Sequence, residues 1–438
     1  SLHRVLVVPS IDALAQGYSL RELMILHMGW ADFFAARLPP LEAPVLRLSS
    51  AISLAPRKRL TVVYASSHTF MNHGSHYTLK AVFDEHDASK LDVIHLLMVG
   101  DQDIAKAGDL PKTQRFIDIA HISDAEAASM INKLSPQILV DLNGYLSGSR
   151  MQIVALRPAP LCVHHFAQPS TMGAPYVHTF LADTVIAPPE HQPFYTEKLA
   201  YVPGVFLSTS ASAFSPEAAS FPPSDPHPRP GLDLPLAPQA LVCSFNAFYK
   251  VQPLQFSLWS RVLSVRPKYS LVLRSKNGQT EGCFAEEASK LGVGRERVHF
   301  TGDLSGDAHV KRCAACELVL DTDHFNGITT TATVLWAGSP VVTFPTENNA
   351  GRCSATMLNS VGATELIARD RRDYERLLLA LTHPESGPAK LKVLRSKLSA
   401  ARMSAPLFQP RHMAAAYERY FFSEWEAVVH SGGGVKTH

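Results

Sequence analysis

The segment LVLDTDHFNGITTTATVLWAGSP, residues 318–340, reads as strand, loop, helix and stop. Leu318–Leu320 is a short apolar run ending on Asp321, as suits a buried parallel strand. Residues 322–328 form a loop with Gly327 at its tip, and Thr329, Thr330 and Thr331 open a helical pattern through Val334, Leu335 and Trp336. Gly338 and Pro340 supply the stop. First-turn N–H groups lack intrahelical partners and face the positive end of the helix dipole. Hydroxyls beside them make a seat for phosphate. A plain helix cap with spare threonines is the competing reading of these residues.

Working outward, strand and helix patterns alternate on both sides. Strands are expected at Leu60–Ser66, Val93–Met98, Phe116–Ile119, Ile138–Leu142, Phe180–Ile186, Leu241–Phe245, Ser270–Leu273, Val298–Phe300 and Val341–Phe344. Helices are expected at Ser19–Arg37, Asp124–Leu134, Pro253–Val265, Asp307–Cys316, Arg352–Leu366, Tyr374–Leu381 and His412–Val429. This alternation predicts parallel α/β sheets. A stretch dense in Pro and Ser, residues 208–238, divides it into two Rossmann-like halves. The expected organisation is an N-terminal helical accessory segment (1–58), a first lobe (59–207), a Pro-rich linker (208–238), a second lobe (239–405) and a C-terminal helix and tail (406–438). A cleft between two such lobes is where ligands usually bind.

Composition narrows the class. The chain has 438 residues, 46% hydrophobic and 18% charged, with a formal net charge of +2. Such values fit a soluble globular protein of two or three domains. No basic stripe argues for nucleic acid, and no apolar run is long enough for a membrane span. The opening SLHRVLVVPS lacks an initiator Met and a signal-peptide pattern, so the chain reads as a fragment of a longer one. Six cysteines are too few for a disulfide scaffold, and free thiols in a reducing compartment are expected. Cys313 and Cys316 form a CxxC without a second ligand pair, so no metal site is expected.

Two loops carry candidate chemistry. SHTFMNHGSH after Leu60–Ser66 bears His68, His73 and His76 at a strand's C-terminal end, where ligand-facing residues of open α/β sheets collect. Histidine suits proton transfer near neutral pH. Residues 168–175, with Gly173 and Ala174, allow close backbone approach to a ligand or are an ordinary connection.

Several collinear motifs carry a resemblance. They are NH at Asn72-His73, NGYLSGSR at 143–150, LRPAP at 156–160, GAP at 173–175, EKLAYVP at 197–203, FNAFYK at 245–250, HVKR at 309–312, LDTDHFNGITT at 320–330, LWAGSPVVT at 335–343 and GATELIARDRRDYE at 362–375. Together they resemble the catalytic region of the nucleocytoplasmic O-linked N-acetylglucosamine transferases and of their plant relative SPINDLY, an O-fucosyltransferase, from about residue 58 to 420.

The resemblance implies a GT-B type fold and an inverting, metal-independent glycosyltransferase with no cofactor beyond its nucleotide-sugar donor. The expected reaction moves N-acetylglucosamine from UDP-N-acetylglucosamine to Ser or Thr hydroxyls of intracellular proteins, in the cytoplasm or nucleocytoplasm. Acceptor proteins and the donor are the expected partners, with no nucleic acid and no membrane. Lys250, Thr329 and Thr330 match positions at the donor diphosphate, and Asn326 and Gly327 match donor-binding positions of the same loop. His309 and Arg312 match the uridine end, and His73 an acceptor-side histidine proposed as catalytic, beside Lys250. Four positions depart from the pattern: Ala247, Gly306, Ile328 and Thr333 stand where the N-acetylglucosamine enzymes carry polar donor contacts. The departures keep two other readings open, a SPINDLY-like enzyme using GDP-fucose and a degenerate homologue acting as a binding module.

Overall fold

The computed structural model describes residues 9–38, 55–67, 74–98, 113–165, 167–209, 215–222, 225–236, 239–275, 278–304 and 306–431. The chain divides into two compact units, one of residues 1–14, 18–208 and 410–438, the other of residues 15–17 and 209–409.

Unit 1 is built on a seven-stranded parallel sheet in the order β3-β2-β1-β4-β5-β6-β7. Its strands are β1 (Leu60–Ser66), β2 (Leu91–Leu97), β3 (Arg115–Asp118), β4 (Ile138–Asp141), β5 (Leu161–His164), β6 (Thr179–Ala182) and β7 (Lys198–Tyr201). The central strands are apolar on both faces, which a parallel sheet covered on both sides requires. The sheet packs with the helices Asp124–Lys133 and Met151–Ala155 around Ile94, Leu96, Ile131, Leu139 and Val154. The helix Leu20–Ala35 starts at Ser19, whose hydroxyl and backbone share a reciprocal capping box with Glu22. The final helix, Pro410–His430, belongs to this unit, burying Tyr417, Phe421 and Trp425. Its Glu418 accepts from the Asp87 N–H at 2.8 Å and from Lys90 at 3.1 Å.

Unit 2 holds a five-stranded parallel sheet in the order β10-β9-β8-β11-β12. The strands are β8 (Ala240–Ser244), β9 (Tyr269–Arg274), β10 (Val298–Thr301), β11 (Leu318–Leu320) and β12 (Val341–Val342). The strand order reverses direction between β8 and β11, so the loops leaving their C-terminal ends open a crevice there. From Thr209 on, the Pro-rich stretch is part of unit 2; the Trp336 indole N–H donates to the Ser215 carbonyl at 3.0 Å.

The structure differs from the sequence reading at several places. β5, β7 and the helices Gly278–Lys290 and Gly387–Ala401 were not expected. The single helix expected over 352–366 is a helix at Cys353–Ser360 and a short 3-10 turn at Thr364–Leu366, divided by Gly362. The expectation of free thiols fails for two of the six cysteines. Cys243 on β8 and Cys316 just before β11 form a disulfide with a Cα–Cα distance of 6.2 Å, because adjacent parallel strands bring them side by side.

Candidate active site

The crevice of unit 2 is framed by the loops that leave β8 and β11. The helix Thr329–Trp336 begins at Thr329 as the sequence predicts, and no side chain caps it. It ends where Gly338, at φ +79°, takes the left-handed conformation that lets its N–H reach the Leu335 carbonyl at 3.0 Å. The start of the helix is held from below by Asp321. This buried carboxylate accepts from the Gly327 N–H at 2.9 Å, the Asn246 amide at 3.0 Å and the Thr343 hydroxyl at 2.9 Å. Burial raises its pKa, and those hydrogen bonds oppose the rise. Gly327 is needed for close packing: a Cβ there would lie 2.7 Å from Asn246 Oδ1 and 2.9 Å from Thr331 Oγ1. Asn326 is fully buried, its amide donating to the Thr322 carbonyl at 2.6 Å and its side-chain oxygen accepting from the Ser354 N–H at 3.1 Å. Asn326 and Gly327 therefore shape the loop, while Thr329 and Thr330 stay partly exposed on the first turn.

Lys250 reaches this loop from the short 3-10 turn after β8. Its ammonium donates to the Asn326 carbonyl at 3.0 Å and lies 3.7 Å from the centroid of the Phe325 ring. Burial lowers its pKa to about 8, and the nearby Asp321 charge opposes that shift. A cation, an uncapped helix N-terminus and two partly exposed hydroxyls thus meet in one place. That combination suits a diphosphate.

His309 and Arg312 lie on the helix Gly306–Ala314. The buried Arg312 donates to the Thr301 hydroxyl at 2.8 Å, to the Gly302 carbonyl at 2.7 Å and to His309 Nδ1 at 3.0 Å. Because Nδ1 accepts, the imidazole is neutral and carries its proton on Nε2. Burial, then the Arg312 charge, pushes the His309 pKa down to about 3. The Phe245 ring meets His309 edge-on at 5.6 Å, and Arg312 lies 5.0 Å from the same ring. The result is a neutral aromatic shelf beside a cation.

Among the described residues, the four departures from that pattern show no replacement contact. Thr333 turns its hydroxyl back to the Thr329 carbonyl at 2.8 Å, so it is spent inside its own helix. Gly306 opens the helix that bears His309 at φ +56°, with open space where a side chain would project. Ala247 is partly exposed in the loop after β8, and Ile328 is partly exposed at the end of the loop after β11, just before Thr329.

In unit 1 the equivalent strand ends are those of β1 and β4. Ser67 donates its backbone N–H and its hydroxyl to Asn143 Oδ1, at 3.1 and 2.6 Å. Asp141 holds the following turn through the Gly144 N–H at 3.0 Å and accepts from His164 Nδ1 at 2.7 Å. His68 and His73 lie outside the described residues, as does the side chain of His76. The loop at 168–175 is packed inside the unit: the Gln168 amide donates to the hydroxyls of Ser10 and Ser170 at 2.6 and 2.9 Å. Its small residues serve this packing.

Residues 41–215 and 232–417 match the model of glycosyl transferase family 41. The chain belongs to that family. Among its relatives, an Arabidopsis thaliana protein named as a probable UDP-N-acetylglucosamine–peptide N-acetylglucosaminyltransferase, SEC, is 30% identical over 385 residues. That match covers 87% of this chain and 38% of the relative. The Caenorhabditis elegans UDP-N-acetylglucosamine–peptide N-acetylglucosaminyltransferase is 25% identical over 474 residues, covering 84% of this chain and 41% of the relative. The Arabidopsis thaliana protein SPINDLY is 26% identical over 381 residues, covering 85% and 40%. This family-41 chain therefore spans about two fifths of the length of these relatives. A lysine-to-methionine mutant of the Thermobaculum terrenum O-GlcNAc transferase superposes with a TM-score of 0.82 at 24% identity, covering 97% of this chain and 77% of that one. The fold class read from the sequence, Rossmann-like parallel-sheet units of the GT-B type, stands.

The sequence reading missed Asp321, Asn246, Phe245 and Phe325 as site residues. Asp321 appeared only as the end of a strand. Its partners Asn246 and Thr343 are far away in sequence, and only the sheet brings them together.

Proposed function

We propose that this family-41 chain is the catalytic region of a glycosyltransferase that moves N-acetylglucosamine from UDP-N-acetylglucosamine to Ser or Thr hydroxyls of intracellular proteins, with inversion. The observation that carries the reading is the Lys250 ammonium at the uncapped start of the Thr329–Trp336 helix. In the reaction the acceptor oxygen bonds to the anomeric carbon while the bond from that carbon to the diphosphate breaks. The hydroxyl proton passes to a base, for which His73 is the candidate from the sequence. The bonding pair leaves with UDP, whose charge Lys250 and the first-turn N–H groups receive; no metal is assigned to that task. Neutral His309, with Nε2–H as a donor and the buried Phe245 ring packed behind it, offers a surface for the uracil base. Among the described residues, no helix is long and apolar enough to cross a membrane.

A second reading has its own observation. The Thr-rich run at residues 328–331 resembles the donor loop of SPINDLY. Calorimetric titration with UDP and GDP, with EDTA present, tests both. Tight UDP binding followed by sugar transfer to a peptide supports the first reading. Preference for GDP moves the assignment to GDP-fucose. Binding of neither leaves a scaffold without turnover.

A further inference from the structure

The Phe325 side chain brings no polar group to the site, yet it touches the one lysine that the site depends on. Its ring is 5% exposed and meets Tyr249 edge-on at 6.4 Å, so it is fixed in place. The neighbouring Asn326 carbonyl is equally fixed, because the Asn326 N–H donates to the Ala350 carbonyl at 2.9 Å. The Lys250 ammonium sits against both, 3.7 Å from the ring centroid and 3.0 Å from the carbonyl oxygen. An ammonium has three N–H groups. One is taken by the carbonyl and one side of the cation faces the ring. Among the described residues no further acceptor is bonded to it, so an N–H remains for a ligand.

We propose that Phe325 is a positioning residue whose ring face, with the Asn326 carbonyl, holds the Lys250 ammonium at the start of the phosphate-binding helix. This role rests on the reading of that helix start as a diphosphate seat. Four flexible bonds separate the ammonium from the backbone, and a half-buried cation with a single acceptor would swing toward water. The quadrupole of an aromatic face opposes that swing without consuming an N–H. Phe325 and Asn326 also belong to the loop that leads into Thr329. The lysine is therefore registered to the same segment that carries the hydroxyls and free N–H groups.

Fluorination of the ring tests the role, since it drains the quadrupole while leaving size and packing nearly constant. Mono-, di- and trifluorinated phenylalanine are placed at 325 in the whole chain, and UDP is titrated by calorimetry near neutral pH. The UDP dissociation constant is expected to rise stepwise, by about tenfold at the trifluoro ring, with the melting temperature unchanged. A flat series in a protein that binds UDP, and that loses it on Lys250→Ala, overturns the Phe325 role and leaves the site reading intact. An affinity loss that follows a falling melting temperature, and not the fluorine count, overturns it as well. Absence of UDP binding by the unmodified protein overturns the site reading and this role together.

Discussion

Replacing Lys250 with methionine keeps the side chain's length and removes its charge. The fold carries that charge unwillingly, since burial moves the lysine from its ordinary 10.5 to about 8. The unfolded chain holds the proton more tightly than the folded one. Wild-type stability therefore rises with pH between about 8 and 10.5 and loses this contribution as pH falls through about 8. At about 1.4 kcal/mol per pH unit, the whole displacement converts to roughly 3.5 kcal/mol. Lys250 as a residue is half-buried, so solvent screening reduces this to about half, and the lost contact with the Phe325 ring removes roughly another 0.5 kcal/mol. The methionine variant is then more stable near neutral pH by about 1 kcal/mol, or about 0.5 M in urea midpoint at an m-value near 2 kcal/mol/M. Urea unfolding followed by fluorescence at neutral pH and again near the upper end of the window reads the difference. The gap is expected to close as pH rises, because the wild-type lysine then folds and unfolds without a proton. A variant less stable than wild type at neutral pH, or a gap that stays constant with pH, refutes the reasoning. The same variant is expected to lose UDP binding, so one substitution separates the cost of the charge from its use.

Asp321→Ala leaves the Gly327 N–H, the Asn246 amide and the Thr343 hydroxyl without their acceptor, and is expected to cost about 2–3 kcal/mol, read from the urea midpoint. An unchanged midpoint would show that these donors find other partners. His309→Ala removes the neutral ring next to Phe245 and is expected to weaken UDP binding about tenfold in calorimetry; unchanged affinity would place the base elsewhere. The Cys243–Cys316 disulfide closes a sequence separation of 73 residues, so the Cys243→Ala, Cys316→Ala double variant is expected to lose about 4 kcal/mol in the chain-entropy account. Equal melting temperatures of the wild type with and without reductant would contradict that expectation.

The parts of the molecule that show in the sequence are those whose pattern is local. β1 is found at Leu60–Ser66, as its run of Val63, Tyr64 and Ala65 between polar loops suggests. The helix starting at Thr329 and stopping before Gly338 carries its own signals. β5 and β7 were missed because each is fixed by pairing, as in Val163 with Thr179 and Leu199 with Phe180. The helix Gly387–Ala401 opens on Gly-Pro, which reads as a turn until the structure shows Pro388 in the first helical turn. In the site, Lys250, Thr329 and Thr330 are legible through short motifs. Phe325 is not, because its meaning depends on a lysine far earlier in the chain reaching across from another strand. The disulfide is hidden for the same reason: Cys243 and Cys316 are neighbours only once β8 and β11 are paired.

The last helix of unit 1, Pro410–His430, is separated from the rest of that unit by the whole run of residues 209–409. A ribosome delivers the strands of the seven-stranded sheet first and the helix that buries Tyr417, Phe421 and Trp425 last. At roughly 5–20 residues per second, the intervening stretch takes about 10–40 s to emerge. For that interval the nascent first unit stands with an apolar face uncovered, while the second unit already has everything it needs to close. The order in which the two units are completed during synthesis is thus the reverse of the order in which they begin.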